Sequence, residues 1–373
     1  MLRSVGKTCV ACAYTWGSAA RRIITRRPAA RPFPFIVCYH RVVENFERSR
    51  RGAIPSMLTS TAMLERHIDW LAKRYRFVSL DDIGNGLECD TRFPRAVATI
   101  TFDDGYSDVY HHAYPLLKRK GIPAAVFVVT SLIGTGRPQI FDRLYLLLRL
   151  LFIHGAKLAP TLAHVLRAKG FDPRPIEQLA TSENEPIRVM TAMLNTLPQD
   201  QIELVLAALE EHVYVRRDHL EEIAPLTWEM IETMHQGGIT IGSHTMSHRL
   251  LTSETLDTVR AELLGSKLAL EEKLHAPIHH FAYPDGRFNP AVVEAVKSSG
   301  YRYGYGICHS RDEKLPLLTI PRKVLWECSC LNMMGRFSSV VMNCQAHWVF
   351  DRNGRCEHDH SAVNNVKDNG TVN

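Results

Sequence analysis

The sequence predicts an α/β protein built on a parallel sheet or barrel. Short apolar, β-branched segments such as "VATITF" (97–102) and "AAVFVVT" (124–130) alternate along the chain with segments of helical spacing. This alternation is typical of parallel α/β folds, in which each helix crosses back over the sheet. A length of 373 residues, 45% of them hydrophobic, is enough for one large α/β domain or two smaller ones.

Four strands and two helices are predicted before residue 131. In chain order they are the strand "PFIVCYH" (34–40), a helix over 61–74, the strand "FVSL" (77–80), the strand 96–102, a helix around 107–120 and the strand 124–130. The first helix is predicted because its apolar residues recur at intervals of three and four. Gly121 and Pro123 mark the end of the second helix, since neither residue favours its continuation.

Residues 137 to about 223 interrupt this alternation with helical patterns and no clear strand, so we predict a helical insertion there. The alternation then resumes in three further predicted strands. These are "ITIGSH" (239–244), "HHFAY" (279–283) and "YRYGYGI" (301–307). The pattern fades after residue 326, and residues 327–373 are predicted to form an irregular, partly disordered tail.

Residues 1–34 form a basic N-terminal arm with seven Lys and Arg side chains and no acidic ones. The arm predicts peripheral contact with an anionic surface, such as the inner face of a membrane. Nucleic acid is disfavoured as a partner, because the rest of the chain has no basic patch interleaved with aromatic residues. The apolar stretch 8–20 is too short to span a bilayer, and a signal peptide, a short surface helix and a frayed terminus stay open for it. The nine cysteines lack a repeated CxxC pattern, which favours reduced thiols and a cytoplasmic location.

Ionisable or polar residues follow four of the predicted strands. They are His40, the pair Asp103 and Asp104, the pair His244 and His248, and Tyr283. Because active sites of α/β barrels lie at the carboxyl ends of the strands, we expect these side chains to lie close together.

The spacing of His244 and His248 in "HTMSH" places two imidazoles within reach of one metal ion. Two histidines and one carboxylate leave coordination positions open, which is typical of catalytic sites and compatible with zinc, cobalt, nickel or iron. A chance spacing is the alternative, since the chain has 18 histidines.

A metal ion would also explain why two carboxylates, Asp103 and Asp104, stand side by side. One would bind the cation, and the other would take a proton from water that the cation acidifies. A helix N-terminus, where Asp is favoured by the macrodipole, would explain only one of the two.

Three motifs, in order, resemble those of the polysaccharide deacetylases, the NodB-homology or carbohydrate esterase family 4 proteins. They are "TFDDG" (101–105), "SHTMSH" (243–248) and "YP" (283–284). The resemblance implies a distorted (β/α)7 barrel over 35–326, with the insertion inside it, and a divalent metal, usually zinc. It also implies that Asp103 is the general base, that Asp104, His244 and His248 are the metal ligands, and that the backbone N–H of Tyr283 helps to bind the oxyanion.

The sequence departs from the family pattern in two places. Many members carry an arginine that tethers the base, and the corresponding stretch "HFAYPDG" has none. The late Leu-x-His motif that supplies the general acid is also missing. Instead "CYHRVV" (38–43) resembles the start of the circularly permuted poly-N-acetylglucosamine deacetylase subgroup, which implies that His40 protonates the leaving amine. A histidine that merely makes hydrogen bonds at a strand end is the alternative.

The predicted function is therefore metal-dependent removal of the N-acetyl group from an amino sugar, in a glycan or a lipid-linked sugar. Two alternatives stay open, a deformylase acting on an amino-sugar lipid and a non-catalytic glycan-binding barrel. Several further residues are weaker candidates for the cleft. Asp142 and Arg143 are expected at an exposed helix start, Trp228 and Trp326 in the core, and Asp285 in a turn or beside the substrate amine.

Overall fold

A computed structural model describes residues 33–351, apart from residues 91–92, 154–157, 171, 173, 175–185, 212 and 216–219. The basic arm therefore lies outside the described residues except at its last two positions, and so does the chain after residue 351. Within the described part, no helix combines the length and the apolar character that a membrane span requires.

The described strands are β1 (Phe35–Tyr39), β2 (Arg41–Val43), β3 (Leu58–Ser60), β4 (Arg76–Phe77), β5 (Val97–Phe102), β6 (Ala124–Val128), β7 (Thr240–Ser243), β8 (His280–Ala282), β9 (Tyr303–Tyr305) and β10 (Lys323–Val324). The described α-helices are α1 (Phe46–Ser49), α2 (Thr61–Ala72), α3 (Leu80–Glu88), α4 (Tyr114–Lys120), α5 (Ile140–Ile153), α6 (Leu158–Ala168), α7 (Pro186–Thr196), α8 (Gln199–Glu210), α9 (Trp228–Gln236), α10 (Leu256–Leu274), α11 (Pro290–Ser298) and α12 (Ser339–Ala346).

Seven parallel strands form a barrel in the order β10-β1-β5-β6-β7-β8-β9, and the short β4 pairs with the beginning of β5. The ring closes at one point, where Ile320, just before β10, forms a parallel bridge with Tyr305 of β9. β1, β5 and β6 are buried along their whole length, which explains why they are continuous apolar runs rather than alternating ones. The predicted α/β class and the distorted seven-stranded barrel are confirmed.

Four helices, α5 to α8, lie between β6 and β7 and form a layer with a hydrophobic core of its own. Val189, Met193 and Leu206 are among the fully buried side chains of that core. Ile54, from the loop before β3, packs into the same core, so the helical layer lies against the barrel rather than apart from it.

The prediction of an irregular tail is wrong for part of residues 327–351. Helix α12 begins after Ser338, whose hydroxyl accepts a hydrogen bond from the Val341 amide at 3.3 Å. The helix buries Val341, Met342 and Cys344, and this burial stabilises an element whose sequence pattern is too short to stand out. Residues 352–373, also predicted as tail, lie outside the described residues.

Candidate active site

The three predicted metal ligands meet at the carboxyl end of the barrel. The Nε2 atoms of His244 and His248 lie 3.4 and 3.2 Å from Oδ1 of Asp104. All three ligand atoms are within 4.8 Å of one another. Asp104 follows β5 and the two histidines follow β7, so the parallel register brings together residues that are about 140 positions apart in the chain.

The chemistry of these three groups fits a divalent cation. Nδ1 of His244 donates to the carbonyl oxygen of Ala282 at 2.8 Å, which leaves the lone pair of Nε2 facing Asp104. Both carboxylate oxygens of Asp104 are buried without a hydrogen-bond partner in the described part of the chain. Burial opposes ionisation of Asp104, but where a proton, and not a metal ion, lies on an Nε2 atom, the hydrogen bond from that imidazole outweighs the effect of burial and holds the pKa of Asp104 below the ordinary range. Lone pairs that converge on a buried carboxylate repel one another unless a cation or a proton lies between them.

A left-handed turn aims Asp104 into the barrel mouth. The φ angle of Asp104 is 71° and that of Gly105 is 69°. A Cβ atom at Gly105 would lie 3.1 Å from Cγ1 of Val128, so the turn packs tightly against β6. A positive φ at a residue with a side chain costs energy and persists where the surrounding structure fixes it, as it commonly does at functional sites.

A buried glutamate holds the loop that carries the two histidines. Glu262 of α10 accepts hydrogen bonds from the amides of Met246 and Ser247 at 2.9 and 2.8 Å, and from the Ser247 hydroxyl at 2.6 Å. The loop needs this support because Thr245 and His248 both have positive φ angles. The sequence gives no signal for the role of Glu262, since this residue stands in an ordinary helical pattern.

The second carboxylate, Asp103, has a different set of partners. Arg322 donates to both of its oxygens, each at 2.7 Å, and the Cys38 thiol donates at 3.3 Å. Burial opposes ionisation of Asp103, but the Arg322 guanidinium outweighs it and lowers the pKa of this carboxyl. Asp103 is therefore held as a carboxylate in a fixed orientation, which is the state that a general base requires.

An arginine tether for Asp103 is absent from the stretch "HFAYPDG" but is present at another place in the chain. Arg322 lies directly before β10 and is fully buried, with its guanidinium 5.1 Å from the ring centroid of Phe127. A basic residue at the start of the last barrel strand was the available signal, and nothing in the spacing linked it to Asp103.

His40 follows β1 and lies beside the same carboxylate. Ligand atoms of Cys38, His40 and Asp103 are within 4.8 Å of one another. The Nδ1 atom of His40 is buried and has no hydrogen-bond partner among the residues that the structure describes. The side chain lines the cleft, so it can reach a bound molecule.

The oxyanion role that the resemblance implies for Tyr283 stays a prediction. Its backbone N–H donates to the carbonyl oxygen of Tyr305 at 3.1 Å, as part of the pairing of β8 with β9. An oxyanion at this N–H would have to share or displace that hydrogen bond. The Tyr283 hydroxyl is also engaged, because it donates to the Leu318 carbonyl oxygen at 2.8 Å.

Asp142 is buried and does not lie at an exposed helix start, in contrast to the prediction. The Tyr106 hydroxyl donates to it at 2.5 Å, and burial raises the pKa of Asp142 to about 7. Arg143 points the other way and pairs with Glu210 at 2.5 Å. Trp228 packs against the main core, whereas Trp326 and Asp285 line the cleft.

A cleft of about 740 Å³ opens above these groups. We call His40, Asp103, Asp104, His244 and His248 the floor of this cleft. Its volume is within the range of about 300–1,000 Å³ that is typical of small-molecule sites. The sides of the cleft come from barrel loops and from the helices α5, α7 and α8.

Known proteins resemble this chain in sequence and in structure. The chain is 22% identical over 283 residues to the putative polysaccharide deacetylase YxkH of Bacillus subtilis, which covers 76% of this chain and 66% of that protein. It is 32% identical over 104 residues to a poly-beta-1,6-N-acetyl-D-glucosamine N-deacetylase of Staphylococcus aureus, which covers 26% of this chain and 36% of the relative. This chain therefore spans just under two thirds of the length of the first relative and about a third of the length of the second.

Two solved structures similar to this chain are a deacetylase, PplD, from Streptococcus pyogenes in complex with acetate and IcaB from Ammonifex degensii. Each aligns with a TM-score of 0.49 and 18% identity, and the alignment covers 79% of this chain and 92% of the chain in the solved structure. The sequence model that describes polysaccharide deacetylases matches residues 90–146 and 179–304, a region that contains Asp103, Asp104, His244 and His248. This chain belongs to the polysaccharide deacetylase family.

Proposed function

We propose that this chain is a divalent-metal-dependent hydrolase that removes the N-acetyl group from an amino sugar in a polysaccharide or a glycolipid precursor. The observation that carries the proposal is the division between adjacent carboxylates: Asp104 faces two imidazoles, while Asp103 is held by an arginine. Similarity to the Staphylococcus aureus poly-beta-1,6-N-acetyl-D-glucosamine N-deacetylase supports the same substrate class.

Asp104, His244 and His248 would hold the cation, for which we propose zinc. When bound, a divalent cation polarises the amide carbonyl and acidifies water in its coordination shell. The protein's part is to fix the ligands, which it does through the turn at Asp104 and the Glu262 contacts to the histidine loop.

Asp103 would take the proton from the attacking water. The Arg322 ion pair keeps this carboxylate ionised and oriented, so that it is ready to accept. His40, on the same side of the cleft, would donate a proton to the departing nitrogen. The C–N bond of the acetamide breaks, and acetate and the free amine leave. A base and an acid on separate strands allow the two proton transfers to occur at different atoms of the substrate.

The proposal is tested by incubating the zinc-loaded protein with matched panels of N-acetylated and N-formylated amino sugars and measuring acetate and formate in the medium. We expect acetate release that stops on treatment with a chelator and returns with added zinc. Release of formate alone from N-formylated substrates would favour the deformylase alternative. Binding of the glycans without any acyl release would favour the glycan-binding barrel.

A further inference from the structure

The cleft has an apolar side that the proposed acetamide chemistry does not use. We call it the apolar roof, and its side chains all belong to the helical insertion. They are Ile140, Phe141, Ile187, Met190, Leu194 and Ile202. The roof begins next to the metal site, since the ring centroids of Phe141 and His248 are 5.1 Å apart. Along α7 its members recur at intervals of three and four, so they form one stripe about 10 Å long.

The apolar roof is fixed in place over the floor. Arg287 donates to Asn195 Oδ1 at 2.7 Å, and Gln199 Nε2 donates to the Ser247 carbonyl oxygen at 3.1 Å. These contacts join α7 and α8 to the loops that follow β8 and β7, and the β7 loop is the one that carries His248. From behind, the fully buried Val189 of the insertion core supports the roof.

Sugar hydroxyl groups find no partners on this surface. A hydroxyl that is buried against Ile187, Met190 and Leu194 loses its hydrogen bonds to water and gains none from these side chains. A hydrocarbon chain has no hydrogen bonds to lose there, and its transfer from water to an apolar surface is favourable in free energy. Polar side chains that could bind a sugar line other parts of the cleft, at Asp285 and Arg287 after β8 and at Thr191 and Asn195 beside the stripe on α7.

We propose that the substrate is an N-acetylated amino sugar whose aglycone carries a hydrocarbon chain, and that the apolar roof binds this chain. The inference rests on the proposed function and names its substrate class. The chain is assigned to the aglycone because the acyl carbon must reach the floor, where Asp103, Asp104 and His244 are each at most 3% exposed. In a 2-acetamido sugar the aglycone is attached to the ring carbon next to the one that bears the acetamide, so a chain on the aglycone would begin close to the reacting group and follow the roof, which starts beside His248.

The test compares N-acetylglucosaminides that share one sugar and differ only in the alkyl group at the reducing end, from methyl to octyl. We expect kcat/KM of the zinc-loaded protein to rise with alkyl length, by about fourfold for each methylene that is fully buried. The octyl-to-methyl ratio should fall about tenfold or more in Leu194→Gln, since a polar group interrupts the stripe. The matched control is Leu204→Gln, a change on an exposed part of the insertion that does not line the cleft, which should keep the wild-type ratio.

Ile187→Gln provides a second variant in case Leu194→Gln does not fold, as judged by its thermal unfolding. Calorimetric binding of the same alkyl series to zinc-loaded Asp103→Asn separates this inference from the proposed function. Binding that strengthens with alkyl length, without turnover in the wild type, would support the apolar roof and overturn the hydrolase. Turnover and binding that do not depend on alkyl length would overturn the inference and leave the hydrolase standing. A preference for a longer N-acyl group over a longer aglycone would overturn the assignment of the chain.

Discussion

The floor and the apolar roof line the same cleft but are built from opposite kinds of side chain, ionisable in the floor and apolar in the roof. The floor consists of ionisable groups that are buried or half-buried, and specific partners orient some of them, such as the Arg322 pair of Asp103. The roof consists of aliphatic and aromatic side chains backed by a hydrophobic core. A floor residue should therefore be replaceable only at a large cost in activity, whereas a roof residue should mainly change which substrate is preferred.

The largest effect is expected at the metal ligands. His244→Ala removes one of three ligands and leaves the buried Asp104 carboxylate with a single imidazole, so we expect loss of bound metal and of detectable acetate release. Metal content by elemental analysis and acetate assays on the same sample measure both. Full metal occupancy with wild-type turnover would remove His244 from the floor.

Asp103→Asn should separate turnover from metal binding. The amide keeps the shape of the side chain but cannot take a proton from water, so acetate release should fall about 10²–10⁴-fold. Metal content should stay at the wild-type level, because Asp103 is bound to Arg322 and not to the ligand set. Loss of metal from this variant would show that the two carboxylates do not divide their roles as proposed.

Arg322→Met should affect stability and activity together. It leaves Asp103 as an unpaired buried charge, and such changes cost about 3–5 kcal/mol of unfolding free energy, measurable by denaturant titration. Arg322 lowers the pKa of Asp103, so its removal raises that pKa. Since the base must be ionised, the acid limb of the pH–activity profile should move to higher pH in this variant. The double variant Arg322→Met/Asp103→Asn should regain part of the stability, and failure to regain any would contradict the buried pair.

Glu262→Gln should weaken the floor indirectly. The histidine loop loses a charged acceptor for two amides and one hydroxyl. Changes to outer partners of metal ligands typically lower metal affinity about 10–100-fold, and competition with a chelator measures this. Because Glu262 does not touch the floor, kcat at saturating zinc should change less than the metal affinity does.

The smallest effect is expected where the roof meets the barrel. Asn195→Ala removes the acceptor for Arg287 on an exposed surface, so the unfolding free energy should change by no more than about 0.5 kcal/mol. A thermal melt of the full chain gives this value. A large loss of stability would mean that the roof depends on this contact and not on its own core.

The sequence by itself determined the strand and helix alternation and most of the floor. Apolar runs followed by His40, Asp103, Asp104, His244 and His248 placed these residues at strand ends, because parallel strands deliver their carboxyl ends to one side. The helical insertion was also visible, since a long stretch without strand patterns breaks the alternation.

The tertiary structure decided which partners each floor group has. Arg322 binds Asp103 from 219 positions away, and the pairing of β8 with β9 occupies the Tyr283 N–H. The burial of Asp142 and the side on which the insertion presents its apolar stripe were likewise decided by packing. A sequence records the periodicity of a helix and the chemistry of its side chains, but the neighbour that each side chain meets depends on how distant segments come together in space.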